Sequence, residues 1–170
     1  MTSHEQEEYR ALRATIQARG TARVWVFLVG LATWAGLATA VAALASIPVA
    51  TLLPLLVLAG AFESVFALHV GVERIGRYLQ VFHEDRWEQT AMDFGAPPAG
   101  TGTDPLFAVF FVLATSLNFV PVLLAGAVPV ELIVIGTAHA LFLARVVVAR
   151  RAAARQRAAD LRRFQQLQHH

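Results

Sequence analysis

The chain has 170 residues, of which 56% are hydrophobic and only 15% are charged. A soluble domain of this length carries roughly a quarter charged residues, so this composition excludes an ordinary globular protein and indicates a membrane protein. Cysteine is absent, which excludes disulfide bonds, thiolate metal sites and thiol nucleophiles.

Residues 1–22 predict an N-terminal amphipathic helix. Tyr9, Leu12 and Ile16 recur at helical spacing behind an acidic first turn. Gly20 is typical of a helix end, so we expect this helix to stop there. It would then lie on the membrane surface or hang beneath it.

Residues 23–94 predict a transmembrane hairpin whose second helix continues beyond the membrane. Its two spans, at about 24–45 and 48–72, are long enough for a hydrocarbon core ~30 Å thick at ~1.5 Å per residue. The first apolar run exceeds that of a typical signal peptide, so we expect it to be retained. Apolar side chains keep helical spacing after the second span, which predicts helix to about Thr90.

The rest of the chain predicts a second hairpin and a basic tail. Residues 95–105 are rich in Gly, Pro, Ala and Thr and predict a flexible linker. Residues 106–149 predict the hairpin, with spans at about 106–125 and 130–149. Residues 150–170 predict a basic cytoplasmic helix. The fold class we expect is therefore an all-α polytopic membrane protein with four transmembrane helices in two hairpins and helical cytoplasmic extensions.

Arginine placement predicts the orientation. All fourteen basic residues are arginines, and they lie before the first span, between the second and third, or at the end of the fourth and after it. Cytoplasmic loops carry the excess of basic residues, so both termini and the long middle segment are expected in the cytoplasm. The lysine-free, alanine- and arginine-rich composition favours a bacterial inner membrane protein.

The cytoplasmic extensions carry opposite charge. Residues 71–105 hold three arginines against six acidic residues, whereas residues 145–170 hold seven arginines against one acid. The basic extension can therefore meet the acidic one, in this or a neighbouring chain, or anionic lipid headgroups. The arginines expected to contact headgroups or a partner are Arg150, Arg151, Arg155 and Arg157. Nucleic acid is not expected, because no aromatic residues are interleaved with these arginines.

Four polar residues within the spans predict an intramembrane network. Glu63 lies deep in the second span, where an unpaired carboxylate is costly, so we expect it to face protein. Counted from the short turns, Glu63 lies at a membrane depth between those of His139 and Arg145 of the fourth span. Either of these residues could therefore hydrogen-bond to Glu63. Asn118 lies among the polar residues of the third span. It is close to Pro121, which has no amide hydrogen and therefore leaves one carbonyl of the helix without its usual donor. These residues form either a packing contact or an ion or proton site.

Small residues recur every three or four positions in three spans, a pattern that lets helices approach closely. In the second span they share a face with Glu63. We expect these faces to mark helix–helix contacts within or between protomers. The residues are Ala32, Gly36 and Ala40, then Gly60, Ala67 and Gly71, then Gly136 and Ala140.

A second polar cluster is predicted where the second span leaves the membrane, at His69, Glu73, Arg74 and Arg77. His69 and Glu73 stand four residues apart on a helix, but two ligands do not make a metal site. His69 and His139 differ in depth by about 15 Å, too far for one haem iron. The pattern therefore predicts no metal and no cofactor.

Three functional hypotheses follow. No nucleophile elbow, phosphate loop or zinc-protease motif is present, so nothing predicts catalysis. The leading hypothesis is a non-enzymatic membrane accessory or scaffold protein acting through helix–helix association, as a homo-oligomer or a subunit of a complex. The alternative is an oligomeric ion pore or small transporter that uses Glu63, Asn118 and His139. A metal or cofactor protein using His69, Glu73 and His139 is the third.

Overall fold

The structure, a computed structural model, describes residues 3–43, 47–83, 90 and 105–168. That part of the chain is all-helical and contains no strand, which confirms that the fold is all-α as predicted. Four α-helices are described: α1 (Ser3–Ala43), α2 (Leu52–Phe82), α3 (Pro105–Leu124) and α4 (Pro129–Gln168), with a single 3₁₀ turn (Pro48–Thr51) before α2. Each of the four includes a segment that is long and apolar enough to cross a membrane.

Proline and glycine set several of the helix ends. Pro48, Pro105 and Pro129 open the 3₁₀ turn, α3 and α4, where a missing amide hydrogen costs nothing. After α3, Gly126 adopts a left-handed conformation with φ of 65°, which a residue with a side chain adopts only with strain. The chain can therefore leave α3 and begin α4 within a few residues.

The expected helix end at Gly20 is wrong. α1 runs without a break from Ser3 to Ala43, so the amphipathic segment and the first apolar span form one helix. Glycine inside a helix costs only about 1 kcal/mol relative to alanine. Ending one helix and starting another would instead leave up to eight backbone groups without intrahelical partners.

The extension of α2 is helical to Phe82, and the amide of His83 still donates to the Leu79 carbonyl at 3.1 Å. The expected continuation to Thr90 falls on residues 84–89, which lie outside the described residues. The predicted linker also lies outside them, except for Pro105.

The contacts divide the chain into two compact units. We call residues 25–65 and 104–149 the apolar unit, and residues 1–24, 66–103 and 150–170 the polar unit. α1, α2 and α4 each contribute a stretch to both units.

Four phenylalanines, one from each helix, form the centre of the apolar unit. Phe111 of α3 packs edge-to-face against Phe27 of α1 and Phe62 of α2, with ring centroids 5.8 and 5.2 Å apart. Phe62 also contacts Phe142 of α4 at 5.9 Å. Such aromatic pairs contribute about 0.5–1.5 kcal/mol each beyond the burial of their area. This cluster therefore joins all four helices.

Close backbone approach joins α1 to α2 in the same unit. A Cβ atom placed on Gly30 would overlap the Cβ of Ala61, so the two helices touch where α1 lacks a side chain. The small residues predicted to form contacts on α1, Ala32, Gly36 and Ala40, are exposed, so they make no such contact within the described part of this chain. A contact between protomers through this face stays a prediction.

The polar unit contains stretches of α1, α2 and α4 with a second aromatic group. Tyr78 packs against Phe82 at 4.7 Å and against Phe164 of α4 at 5.8 Å. Tyr9 of α1 contacts His83 at 5.7 Å. Phe164 of the basic last segment is therefore packed against α2 within this chain.

Candidate functional site

A buried group of polar residues in the apolar unit is centred on Asn118, which is 2% exposed. Its Nδ2 donates to the Thr51 carbonyl at 2.9 Å and to His139 Nε2 at 3.0 Å. Its Oδ1 accepts a hydrogen bond from Trp34 Nε1 at 3.3 Å. We call these four residues the Asn118 network. It joins α1, the 3₁₀ turn, α3 and α4.

The hydrogen bonds identify the form of His139. Its Nδ1 lies 2.8 Å from the Ile135 carbonyl, which can only accept, so Nδ1 carries a proton. Its Nε2 faces the amide nitrogen of Asn118, which donates, so Nε2 carries none. The imidazole is therefore neutral, and both of its nitrogens are used by protein groups.

A charged pair lies elsewhere in the same unit. Arg145 of α4 binds Glu63 of α2 in bidentate fashion, with Nε–Oε1 and Nη2–Oε2 distances of 2.7 Å each. Paired donors of this geometry match a carboxylate better than any single contact. The guanidinium also stands over the Phe62 ring, 5.9 Å from its centroid.

This Glu63–Arg145 pair lies at the surface of the unit. The Glu63 side chain is 49% exposed and that of Arg145 is 38% exposed. Gly60, Ser64 and Ala67 of α2 are exposed beside it, and a Cβ on Gly60 would meet nothing. Of the predicted small-residue face of α2, Gly60 and Ala67 are therefore exposed in the described part of this chain, whereas a Cβ atom on Gly71 would overlap the Arg19 side chain of α1.

The predicted intramembrane network thus separates into two groups. Glu63 pairs with Arg145, whereas Asn118 pairs with His139. His139 and Arg145 are six positions apart in the sequence, which is about 9 Å along α4. Of the two partners considered for Glu63, the structure places Arg145 there and gives His139 to Asn118.

In the polar unit, side chains link three helices at one level. Arg157 of α4 binds Glu73 of α2 through Nη2–Oε1 at 2.6 Å and Nε–Oε2 at 3.3 Å. His69 Nε2 lies 3.7 Å from Glu73 Oε1, and Arg23 of α1 donates to His69 Nδ1 at 3.1 Å. A guanidinium can only donate, so His69 Nδ1 accepts and the ring proton is on Nε2, facing Glu73.

Further contacts extend this connection along the helices. Arg74 binds Asp160 of α4 at 3.2 Å. The Tyr78 hydroxyl donates to Glu8 of α1 at 2.8 Å. This hydrogen bond, followed by burial and the charge of Glu8, raises the pKa of Tyr78 above its ordinary value of 10.0, so the phenol keeps its proton at neutral pH.

The predicted second cluster and basic helix have mixed placements. His69, Glu73 and Arg74 contact the other helices as described, and Arg77 is buried at 5% exposure. Arg157 is half-buried and pairs with Glu73, a contact with the acidic extension of this chain. Arg151 and Arg155 are exposed. Arg150 lies in α4, and its side chain is outside the described features.

Sequence reasoning missed six residues of these contacts. Four of them depend on partners far along the chain, which the local pattern does not show; these are Trp34, Thr51, Arg23 and Tyr78. Glu8 was visible only as part of an acidic first turn, and Asp160 only in the net charge of its segment. A search for aromatic N–H and amide groups at matching depths would have found Trp34 with Asn118.

No protein-family model, curated protein or solved structure matches this chain. Within the described ranges, no three His, Asp or Glu side chains gather where they could hold a metal ion. Any functional conclusion must therefore come from the Asn118 network, the Glu63–Arg145 pair and the polar unit themselves.

Proposed function

We propose that this chain is an integral protein of a bacterial inner membrane that crosses the bilayer four times as two hairpins. Its termini and its middle segment lie in the cytoplasm, as the positive-inside rule predicts from the fourteen arginines. Its function is that of an accessory or scaffold protein, which acts by associating with other membrane helices. Four helices of sufficient length and hydropathy support this proposal.

The observation that carries the association is the surface position of the Glu63–Arg145 pair. At ~1.5 Å of rise per residue, Arg145 lies about 24 Å from the start of α4 at Pro129. Glu63 lies about 16 Å from the start of α2 at Leu52. Both positions fall within a hydrocarbon core ~30 Å thick. A charged residue at the centre of a spanning helix costs about 2.5–3.5 kcal/mol, so this exposed pair favours a covering protein surface.

A second copy of the chain fits this surface. The pair presents one positive and one negative group side by side, so a twofold axis would set Arg145 of one copy against Glu63 of the other. Gly60, Ser64 and Ala67 allow the two α2 helices to approach closely. The face is thus complementary to itself in both charge and shape.

The polar unit supports a scaffold function in the cytoplasm. Its ion pairs satisfy Glu73, Arg157 and Asp160 within the chain, which leaves Arg151 and Arg155 exposed on α4. Exposed arginines near a membrane contribute roughly 1 kcal/mol each toward anionic lipids. We propose that these two contact anionic headgroups or an acidic segment of a partner.

The geometry favours association over conduction. A pore would need Glu63, Asn118 and His139 along one path. The carboxylate of Glu63 is instead neutralised by Arg145 at the surface, and the polar atoms of Asn118 and His139 are bonded to one another and to the backbone. No observation of the described residues specifically supports transport.

Association through this face is tested by adding bulk to it. Ser64→Leu places a large side chain beside the pair without changing the charge. The hydrogen bond that is lost is local, because the Ser64 hydroxyl donates to the Gly60 carbonyl of its own helix. We expect the native chain to be dimeric in nanodiscs and mild detergent. Ser64→Leu should weaken the dimer at least about tenfold, a loss of ~1.4 kcal/mol.

Ser116→Leu is the matched control. Ser116 is likewise exposed and bonded to the carbonyl four residues before it, at Val112, but it lies on α3. Its substitution should leave the dimer intact. Monomeric native protein in both lipid and detergent, or a dimer equally insensitive to both substitutions, would contradict the proposed interface.

A further inference from the structure

A cavity of about 260 Å³ lies in the apolar unit between α1 and α3. Small side chains on one face of α1, Ala35, Ala38 and Ala42, leave this space open. On the other side it is bounded by Asn118 and Pro121 of α3. Since water occupies roughly 30 Å³ per molecule in the liquid, the space would hold about eight waters or the end of a small organic molecule.

Among the residues that line the cavity, every side-chain hydrogen-bond donor is already bonded to another protein group. Trp34 Nε1 donates to Asn118, and both hydrogens of the Asn118 amide are used by Thr51 and His139. The Thr51 hydroxyl donates to the Pro48 carbonyl at 2.7 Å, and the Thr39 hydroxyl donates to the Ala35 carbonyl at 2.8 Å.

The same walls retain acceptor capacity. Each threonine hydroxyl has lone pairs in addition to its donated hydrogen, and Asn118 Oδ1 accepts one bond where two are possible. Pro121 has no amide hydrogen, so the carbonyl of Leu117, another lining residue, lacks its usual helical donor. The polar part of the cavity therefore matches a ligand that donates a hydrogen bond.

The remaining lining selects an apolar, uncharged ligand. The described walls contain alanine, valine, leucine, proline and the Trp34 ring, and they contain no ionisable side chain. A charged head group would lose its hydration without gaining a countercharge. The volume lies just below the range of about 300–1,000 Å³ typical of drug-sized ligands, so the cavity accommodates a head and a few carbons rather than a large body.

We propose that this cavity binds a neutral, hydroxyl-headed membrane amphiphile, such as a fatty alcohol or a lipid with a free glycerol hydroxyl. Its hydroxyl donates to the acceptors around Asn118, and its alkyl part lies against the alanine face of α1. This inference depends only on contacts within the apolar unit. It stands whether or not the chain forms dimers.

Trp34 reports on occupancy because it lines the cavity. The other two tryptophans, Trp25 and Trp87, are replaced by phenylalanine so that Trp34 alone emits. The purified protein in nanodiscs is then titrated with n-decanol and, separately, with decyl methyl ether. We expect a saturable change in Trp34 emission with the alcohol and about tenfold weaker binding of the ether, which cannot donate a hydrogen bond.

Two substitutions on α1 separate cavity binding from general partitioning into the membrane. Ala38→Phe fills the cavity and should abolish the saturable response, whereas Ala32→Phe, at an exposed position outside the lining, should preserve it. Circular dichroism and a monodisperse elution profile verify that each variant is folded.

A third variant covers the case in which Ala38→Phe does not fold. Thr39→Val removes one acceptor with little change of shape and should reduce the preference for the alcohol over the ether. Responses that rise linearly with both compounds, or a saturable response unchanged in every folded variant, would overturn the proposal. Equal binding of the alcohol and the ether would also overturn the proposal, because the compounds would then only displace water from the cavity.

Discussion

Asn118 shows how many helices a single buried side chain can connect. Its amide reaches a tryptophan on α1, a backbone carbonyl of the 3₁₀ turn and a histidine on α4, so three neighbouring segments depend on it. Within a bilayer these partners have little water to turn to. The residue therefore determines how α3 is rotated relative to the segments that it contacts.

Replacing Asn118 by leucine, which has a similar size, should destabilise the protein mainly through lost hydrogen bonds. Interhelical hydrogen bonds in membranes average about 0.6 kcal/mol, so the loss of three should cost about 2 kcal/mol. The measurement is unfolding in mixed micelles as the fraction of sodium dodecyl sulfate rises. Ser116→Ala is the control, since that exposed hydroxyl bonds only to its own helix, and we expect a change below ~0.5 kcal/mol. An equal effect of both substitutions would contradict this role.

At the scale of the helix, the glycines of α1 lie in two different surroundings, open space and a close contact with α2. Gly20 lies inside the helix without ending it, and Gly36 faces open space, whereas Gly30 stands where α1 touches α2. The sequence pattern could not distinguish these cases. All three are glycines in helical surroundings, and only the opposing helix makes Gly30 special.

Alanine substitution separates the packed glycine from the open one. Gly30→Ala should destabilise the apolar unit by about 1–3 kcal/mol, because the new methyl group overlaps Ala61 and the helices must move apart. Gly36→Ala should be neutral or should stabilise the protein by up to ~1 kcal/mol through helix propensity. Both are measured by the same micelle unfolding. If Gly36→Ala proves the more damaging change, α1 packs through its other face, against a partner.

At the scale of the whole molecule, the absence of cysteine makes the proposed topology directly testable. Single cysteines at Ser3, Ala127 and Gln168 each provide one thiol in an otherwise thiol-free chain. In intact bacterial cells, a membrane-impermeant maleimide should label Ala127→Cys alone. Ser3→Cys and Gln168→Cys should react only after the membrane is opened. Labelling of either terminal position in sealed cells would contradict the cytoplasmic placement.

Much of the architecture was predictable because it depends on local properties of the chain. Hydropathy over about 20 residues is read from neighbouring positions, and it identified four apolar helices that the structure contains. Helix starts at Pro105 and Pro129 likewise follow from proline's own geometry. The expected break at Gly20 failed because a weak local preference was overruled by the continuity of a long helix.

The amino-acid sequence by itself determined that this protein is helical, that it has four segments of bilayer length, and that most of its charged residues lie outside them. Only the tertiary structure decided which polar groups meet: Glu63 with Arg145, Glu73 with Arg157, and Asn118 with His139. The physical reason is that an apolar environment of fixed thickness constrains the length of a helix but hardly its rotation about its own axis. The choice of partner depends on rotation, which is set by the side chains of helices distant in sequence.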